Sequence, residues 1–105
     1  VYAEHSDEYA IGVVFECDNT VYYITGDTLY NERVFSEIPS KVDVLFLPVN
    51  GKGNNLNVAD ARRFAKKIGA KRIVPVHWGL FDEFKKEDFA FENFITLRAF
   101  ETEKF

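Results

Sequence analysis

A chain of 105 residues, 47% apolar and 16% aromatic, holds enough apolar material for one core. It is expected to fold as a single domain over residues 1–105, with no Pro-, Gly- or Ser-rich stretch to separate a second. Its formal charge of −4, with acids and bases interspersed, offers no basic footprint for a nucleic-acid backbone or an anionic membrane, and no apolar run approaches the ~20 residues that span a bilayer.

Residues 9–17, YAIGVVFEC, are rich in β-branched and aromatic types and predict a strand. Residues 21–25, VYYIT, predict a second, and Asp18-Asn19 between them predicts a hairpin turn. Cys17, the only cysteine, has no basic neighbour and reads as a small buried hydrophobe, not a nucleophile. A single cysteine rules out an intrachain disulfide and suits a reducing cytoplasm, the expected compartment. Gly26-Asp27-Thr28 ends the second strand and leaves Asp27 at its carboxy-terminal mouth. A short amphipathic piece over residues 32–38 stops at Pro39.

Residues 42–49, VDVLFLPV, have a near-continuous apolar centre and predict a strand buried on both faces. After the loop NGKGNN at residues 50–55 comes the clearest helix, with Asn57 as N-cap and Gly69 as its stop. Its core stripe is Ala61, Phe64, Ala65 and Ile68, and Arg62, Arg63, Lys66 and Lys67 form a solvated face. Residues 72–76, RIVPV, predict another strand, with His77-Trp78-Gly79 at its carboxyl end. Residues 83–91 read as a short helix and residues 94–100 as an alternating strand. The class is α/β, a mixed β-sheet with helices on one face.

In open α/β sheets ligands collect outside the carboxyl ends of the strands, which singles out Asp27 and His77. A carboxylate and neutral imidazoles are matched donors for a divalent ion, and His5, ahead of the hairpin, supplies a third. Each has a plainer reading. A strand-end His is more often structural or surface than a ligand, Asp27 suits a turn, and His5 sits among Glu4, Ser6, Asp7 and Glu8 as a solvated side chain would. Lys52, in Gly51-Lys52-Gly53, is a candidate contact for an anionic substrate, although the segment lacks the phosphate-loop frame and reads first as a flexible connection. Trp78 is a candidate pocket wall with packing as its alternative.

The stretches AEHSDEYAIGVVFE, YYITGDTLY, VDVLFLPVNGKGNNLNVADA and IVPVHWGLFDEF, in that order, resemble the carboxy-terminal half of the metallo-β-lactamase superfamily. Within it they are most similar to the ascorbate-phosphate-lactonase-like branch of metal-dependent hydrolases. The resemblance implies half of an αββα sandwich. It also implies that His5 ligates the first metal, that Asp27 bridges both metals as the catalytic carboxylate, and that His77 ligates the second. Two divalent ions follow, zinc in the first instance and manganese or iron as alternatives, activating a water against an ester, lactone, amide or phosphoester of a small molecule. The family signature H-x-H-x-D-H has no counterpart in this chain, and three donors do not fill two coordination spheres. The isolated chain is therefore expected to be an inactive fragment, paired with a second copy or with the missing amino-terminal half. A start on Val and the lack of Met fit further sequence upstream. The rival reading is a non-catalytic α/β binding or interaction module.

Overall fold

The computed structural model describes residues 1–39, 41–78, 84–91 and 93–105. Strands β1 (Val13–Cys17) and β2 (Thr20–Ile24) form the expected hairpin, running antiparallel from Val13 opposite Ile24 to Cys17 opposite Thr20. Asp18 and Asn19 turn it at φ 50° and 62°, the left-handed pair a two-residue hairpin loop demands and that short polar side chains tolerate. The first strand is shorter than residues 9–17, because a local turn closes ahead of it: Asp7 takes the N–H groups of both Tyr9 (Oδ1, 2.9 Å) and Ala10 (carbonyl, 3.2 Å).

Strands β3 (Val44–Pro48) and β4 (Arg72–Val76) complete one mixed sheet in the order β1-β2-β3-β4, with β2, β3 and β4 parallel. The crossover between β3 and β4 is α1 (Val58–Ile68). Asn57 caps it, its side chain accepting the Asp60 N–H at 2.8 Å, and Gly69 ends it at φ 71°. The apolar stripe of α1 lands on one face of the sheet: Ala61, Phe64 and Ala65 are buried against a cluster that includes Tyr23, Leu45, Leu47 and Ile73. A 3-10 turn, Glu32–Glu37, adds buried Val34 to the same side, and Phe35 packs on Phe64 with ring centroids 4.9 Å apart.

The opposite face is also apolar. Register puts Val13, Ile24, Phe46 and Val74 in one row across the sheet and Phe15, Tyr22 and Val44 in the next. Phe15 stacks on Tyr22 at 4.9 Å, and Phe105 meets Tyr22 and Phe46 edge-on. Val44 and Val74 are buried, while Val13, Phe15 and Ile24 stay exposed.

Three expectations are corrected. Cys17 is exposed, because it sits at the hairpin tip opposite Thr20 and shares the face of Val13 and Phe15, away from α1. Residues 94–100 form no strand. Phe94 bridges Ile73, whose N–H and carbonyl are taken by Asn93 and Ile95. The next outward position on β4 is Pro75, which has no N–H to give and whose carbonyl is taken by the Trp78 indole, so the ladder stops after one rung. The predicted helix at 83–91 is reduced to a 3-10 turn, Lys86–Phe89, entered where Asp88 Oδ2 accepts the Lys85 N–H; Glu83 lies outside the described residues. No helix among the described residues is long and apolar enough to cross a membrane.

Candidate functional site at the carboxyl edge of the sheet

Because β2, β3 and β4 are parallel, their carboxyl ends share one edge, and the turns leaving them carry Asp27, the 50–55 loop and His77. Gly26 makes the first turn possible. Its φ is +67°, and a Cβ there would stand 2.7 Å from the Ile11 carbonyl oxygen. His77 is also left-handed, at φ 60°. For a residue with a Cβ this costs on the order of 1–3 kcal/mol and persists only where surrounding structure enforces it, as at functional sites.

The two turns bring Asp27 Oδ1 to 3.5 Å from His77 Nδ1, both side chains about half exposed at 46% and 45%. Two ligands on one tetrahedral ion, each ~2.0–2.1 Å from it, stand about 3.3 Å apart. The pair therefore fits a shared divalent cation by both donor chemistry and spacing. Among the described residues no group of three or more His, Cys, Asp or Glu is gathered, so His5 does not join the pair as a third donor.

His5 is nevertheless held close in register. Glu4 bridges Leu29 antiparallel, which sets the His5 segment beside the Asp27 turn. Buried Thr28 fastens the two: its Oγ1 accepts the Glu4 N–H at 2.9 Å and donates to the Leu29 carbonyl at 3.0 Å. On the far side of His5, Ser6 Oγ accepts from Asn54 Nδ2 at 3.1 Å, tying the segment to the loop after β3. His5 Nδ1 accepts the Asp7 N–H at 2.9 Å, so the neutral ring carries its proton on Nε2. Ligation through His5 requires that bond or that proton to be given up.

Lys52 is exposed on the loop between the two turns. Its N–H donates to Asn50 Oδ1 and its carbonyl accepts from Asn55 Nδ2, which fixes the backbone and leaves the ammonium without a partner among the described residues. Asn55 is buried and its Oδ1 has no hydrogen-bond partner among the described residues. Trp78 is half-buried, with its indole N–H on the Pro75 carbonyl at 3.0 Å and its ring 5.3 Å from Phe89, so much of it is core packing. Gly79, the last residue of the His77-Trp78-Gly79 segment, lies outside the described residues. The ties made by Thr28 and Asn54 have no counterpart in the sequence reading; a Thr directly after a strand-end Asp is the signal the sequence offers for the first.

A four-stranded mixed sheet with a helix on one face is consistent with half of a metallo-β-lactamase-type fold. No family model matches the chain. It is 34% identical over 89 residues to a UPF0173 protein of Pyrococcus furiosus, covering 84% of this chain and 41% of that protein. It is 32% identical over 81 residues to a UPF0173 metal-dependent hydrolase of Bacillus cereus, covering 76% and 35%. A UPF0173 metal-dependent hydrolase of Anoxybacillus flavithermus is 29% identical over 85 residues, covering 80% and 37%. The chain belongs to this metallo-β-lactamase-like family. It spans about two fifths of the length of the curated relatives it matches, as expected of a carboxy-terminal half.

Proposed function

We propose that this chain is the carboxy-terminal part of a metal-dependent hydrolase acting on an ester, lactone, amide or phosphoester of a small molecule. The observation that supports it most is the Asp27–His77 pair at 3.5 Å, on a strand edge of a chain whose relatives are named metal-dependent hydrolases. His5, Asp27 and His77 are the proposed ligands, Asp27 being the shared catalytic carboxylate, and two divalent ions, zinc first, are the proposed cofactor. When bound, such ions supply a water that ionises near neutral pH and a Lewis acid for the scissile group.

The chain's own residues have simpler tasks in this reading. Asp27 and His77 present oxygen and nitrogen lone pairs from two turns fixed by the sheet, and the left-handed backbone of His77 aims its ring toward Asp27. Lys52 and Trp78 are the proposed substrate contacts, one for an anionic group and one for an apolar surface. The remaining ligands come from the amino-terminal part of the protein, so the chain by itself is inactive. Cytoplasmic location belongs to the same reading.

Calorimetric titration with zinc tests it. The chain alone is expected to bind at best one ion weakly, and the protein extended to the length of its relatives to bind two tightly. In the extended protein Asp27→Ala and His77→Ala each abolish turnover and lower metal content while circular dichroism is unchanged. Tight uptake of two ions by the short chain as a monomer, or turnover within a few-fold of wild type in either variant, overturns the assignment.

A further inference from the structure

Beside Trp78 the surface opens into a cavity of about 480 Å³, within the ~300–1,000 Å³ range of small-molecule sites. Among the described residues its apolar wall is Trp78, Phe84 and Leu97, and its polar rim is Lys85, Lys86 and Arg98 with a single acid, Glu87. Lys86 is engaged by Glu101 at 3.6 Å. No acidic partner meets the Lys85 ammonium or the Arg98 guanidinium among the described residues, so a cationic rim survives on a chain whose formal charge is −4. The Trp78 N–H is already satisfied by Pro75 and its ring is braced on buried Phe89. The indole thus offers the cavity a fixed apolar surface and asks for no hydrogen bond in return. An apolar wall under unpaired cations selects against neutral ligands and bare inorganic anions alike, since each satisfies only half of it.

We propose that this cavity binds an organic anion with an aromatic or aliphatic body, the body on Trp78 and Leu97 and the charge at Arg98 and Lys85. Trp78 follows His77 directly in the chain, and on the function proposed above that anion is the substrate class of the hydrolase. Trp78 is the chain's only tryptophan, so its fluorescence reports the cavity directly.

The experiment titrates metal-free protein with phenylpropionate, with its uncharged amide and with inorganic phosphate, reading Trp78 emission. Phenylpropionate is expected to give a saturable change, the amide to bind at least about tenfold more weakly, and Arg98→Glu or Lys85→Glu to weaken the acid by about tenfold. Both substitutions lie on exposed side chains, and unchanged circular dichroism excludes unfolding as the cause. Equal binding of acid and amide, stronger binding of phosphate, or indifference to both charge reversals overturns the proposal. Zinc titration of the protein extended to the length of its relatives, with the acid titration repeated on it, separates the two readings. Zinc uptake without acid binding removes the cavity and keeps the metal site, whereas acid binding without zinc uptake removes the link to hydrolysis.

Discussion

Thr28 shows how one hydroxyl positions a site it does not enter. Fully buried, it joins the His5 segment to the Asp27 turn through bonds to the Glu4 N–H and the Leu29 carbonyl. Thr28→Val keeps the shape and deletes the hydroxyl, leaving the Glu4 N–H unsatisfied, a loss of about 1–3 kcal/mol. Urea unfolding is expected to show that loss for Val and to show most of it restored for Ser. Equal stability of the Val variant would mean that the Glu4–Leu29 bridge holds the segment unaided. Gly26 and Gly69 make a contrasting pair, since both are left-handed but only Gly26 is crowded. Gly69→Ala should cost roughly 1–2 kcal/mol for its backbone alone. Gly26→Ala should cost more, because its Cβ would also press on Ile11. A smaller loss at Gly26 than at Gly69 would show that the turn shifts freely.

At the scale of elements, the edge opposite the candidate site is held by Asp43. Its carboxylate accepts the Val21 N–H at 2.8 Å, and its carbonyl accepts the Arg72 N–H, linking β2, β3 and β4 where the parallel strands begin. That backbone bond first, then the nearby Lys41 and Lys71 ammoniums, hold the Asp43 carboxyl below its ordinary value against the opposing effect of burial. A folded-state value below the unfolded one stabilises above the ordinary carboxylate range, and the benefit is lost as pH falls through the folded value. Urea midpoints taken from about pH 6 to about pH 3 should therefore drop, with a shallower drop in Asp43→Asn. Identical acid limbs for the two proteins would remove Asp43 from this role.

For the whole molecule the decisive feature is the second apolar face of the sheet. Helix α1 and the 3-10 turn cover only the face built from Tyr23, Leu45, Leu47 and Ile73. On the other, Val13, Phe15 and Ile24 remain 47%, 43% and 41% exposed in one continuous patch with Phe46 and Tyr22. Patches of this kind aggregate or find a partner. Without the rest of the family's chain, the expected partner is a second copy in a two-fold, mostly apolar dimer burying about 2,000 Å². Sedimentation velocity at micromolar concentration should find that dimer. A soluble monomer with sharp cooperative unfolding would show that Phe105 and its neighbours cover the face well enough alone.

Local signals carried much of this fold in the sequence by itself. Asn57 and Gly69 bound α1 where capping chemistry put them, and β4 spans the predicted residues 72–76. Asp18-Asn19 turns the hairpin, and Asp27 and His77 stand at strand ends as read. These are decisions a residue makes with neighbours a few positions away, through cap hydrogen bonds, turn dihedrals and side-chain period. Tertiary structure decided what depends on distant partners. Residues 94–100 alternate as a strand should, yet Pro75, some twenty positions earlier, withholds the N–H that would extend the ladder. Cys17 has a buried strand's composition around it and lies exposed, because its register turns it, with Val13 and Phe15, to the face that α1 leaves open. The 3.5 Å meeting of Asp27 with His77 exists only once three parallel strands bring fifty residues of sequence separation to a single edge, and the tie from Thr28 to the His5 segment only once the Glu4–Leu29 bridge closes a separation of 24.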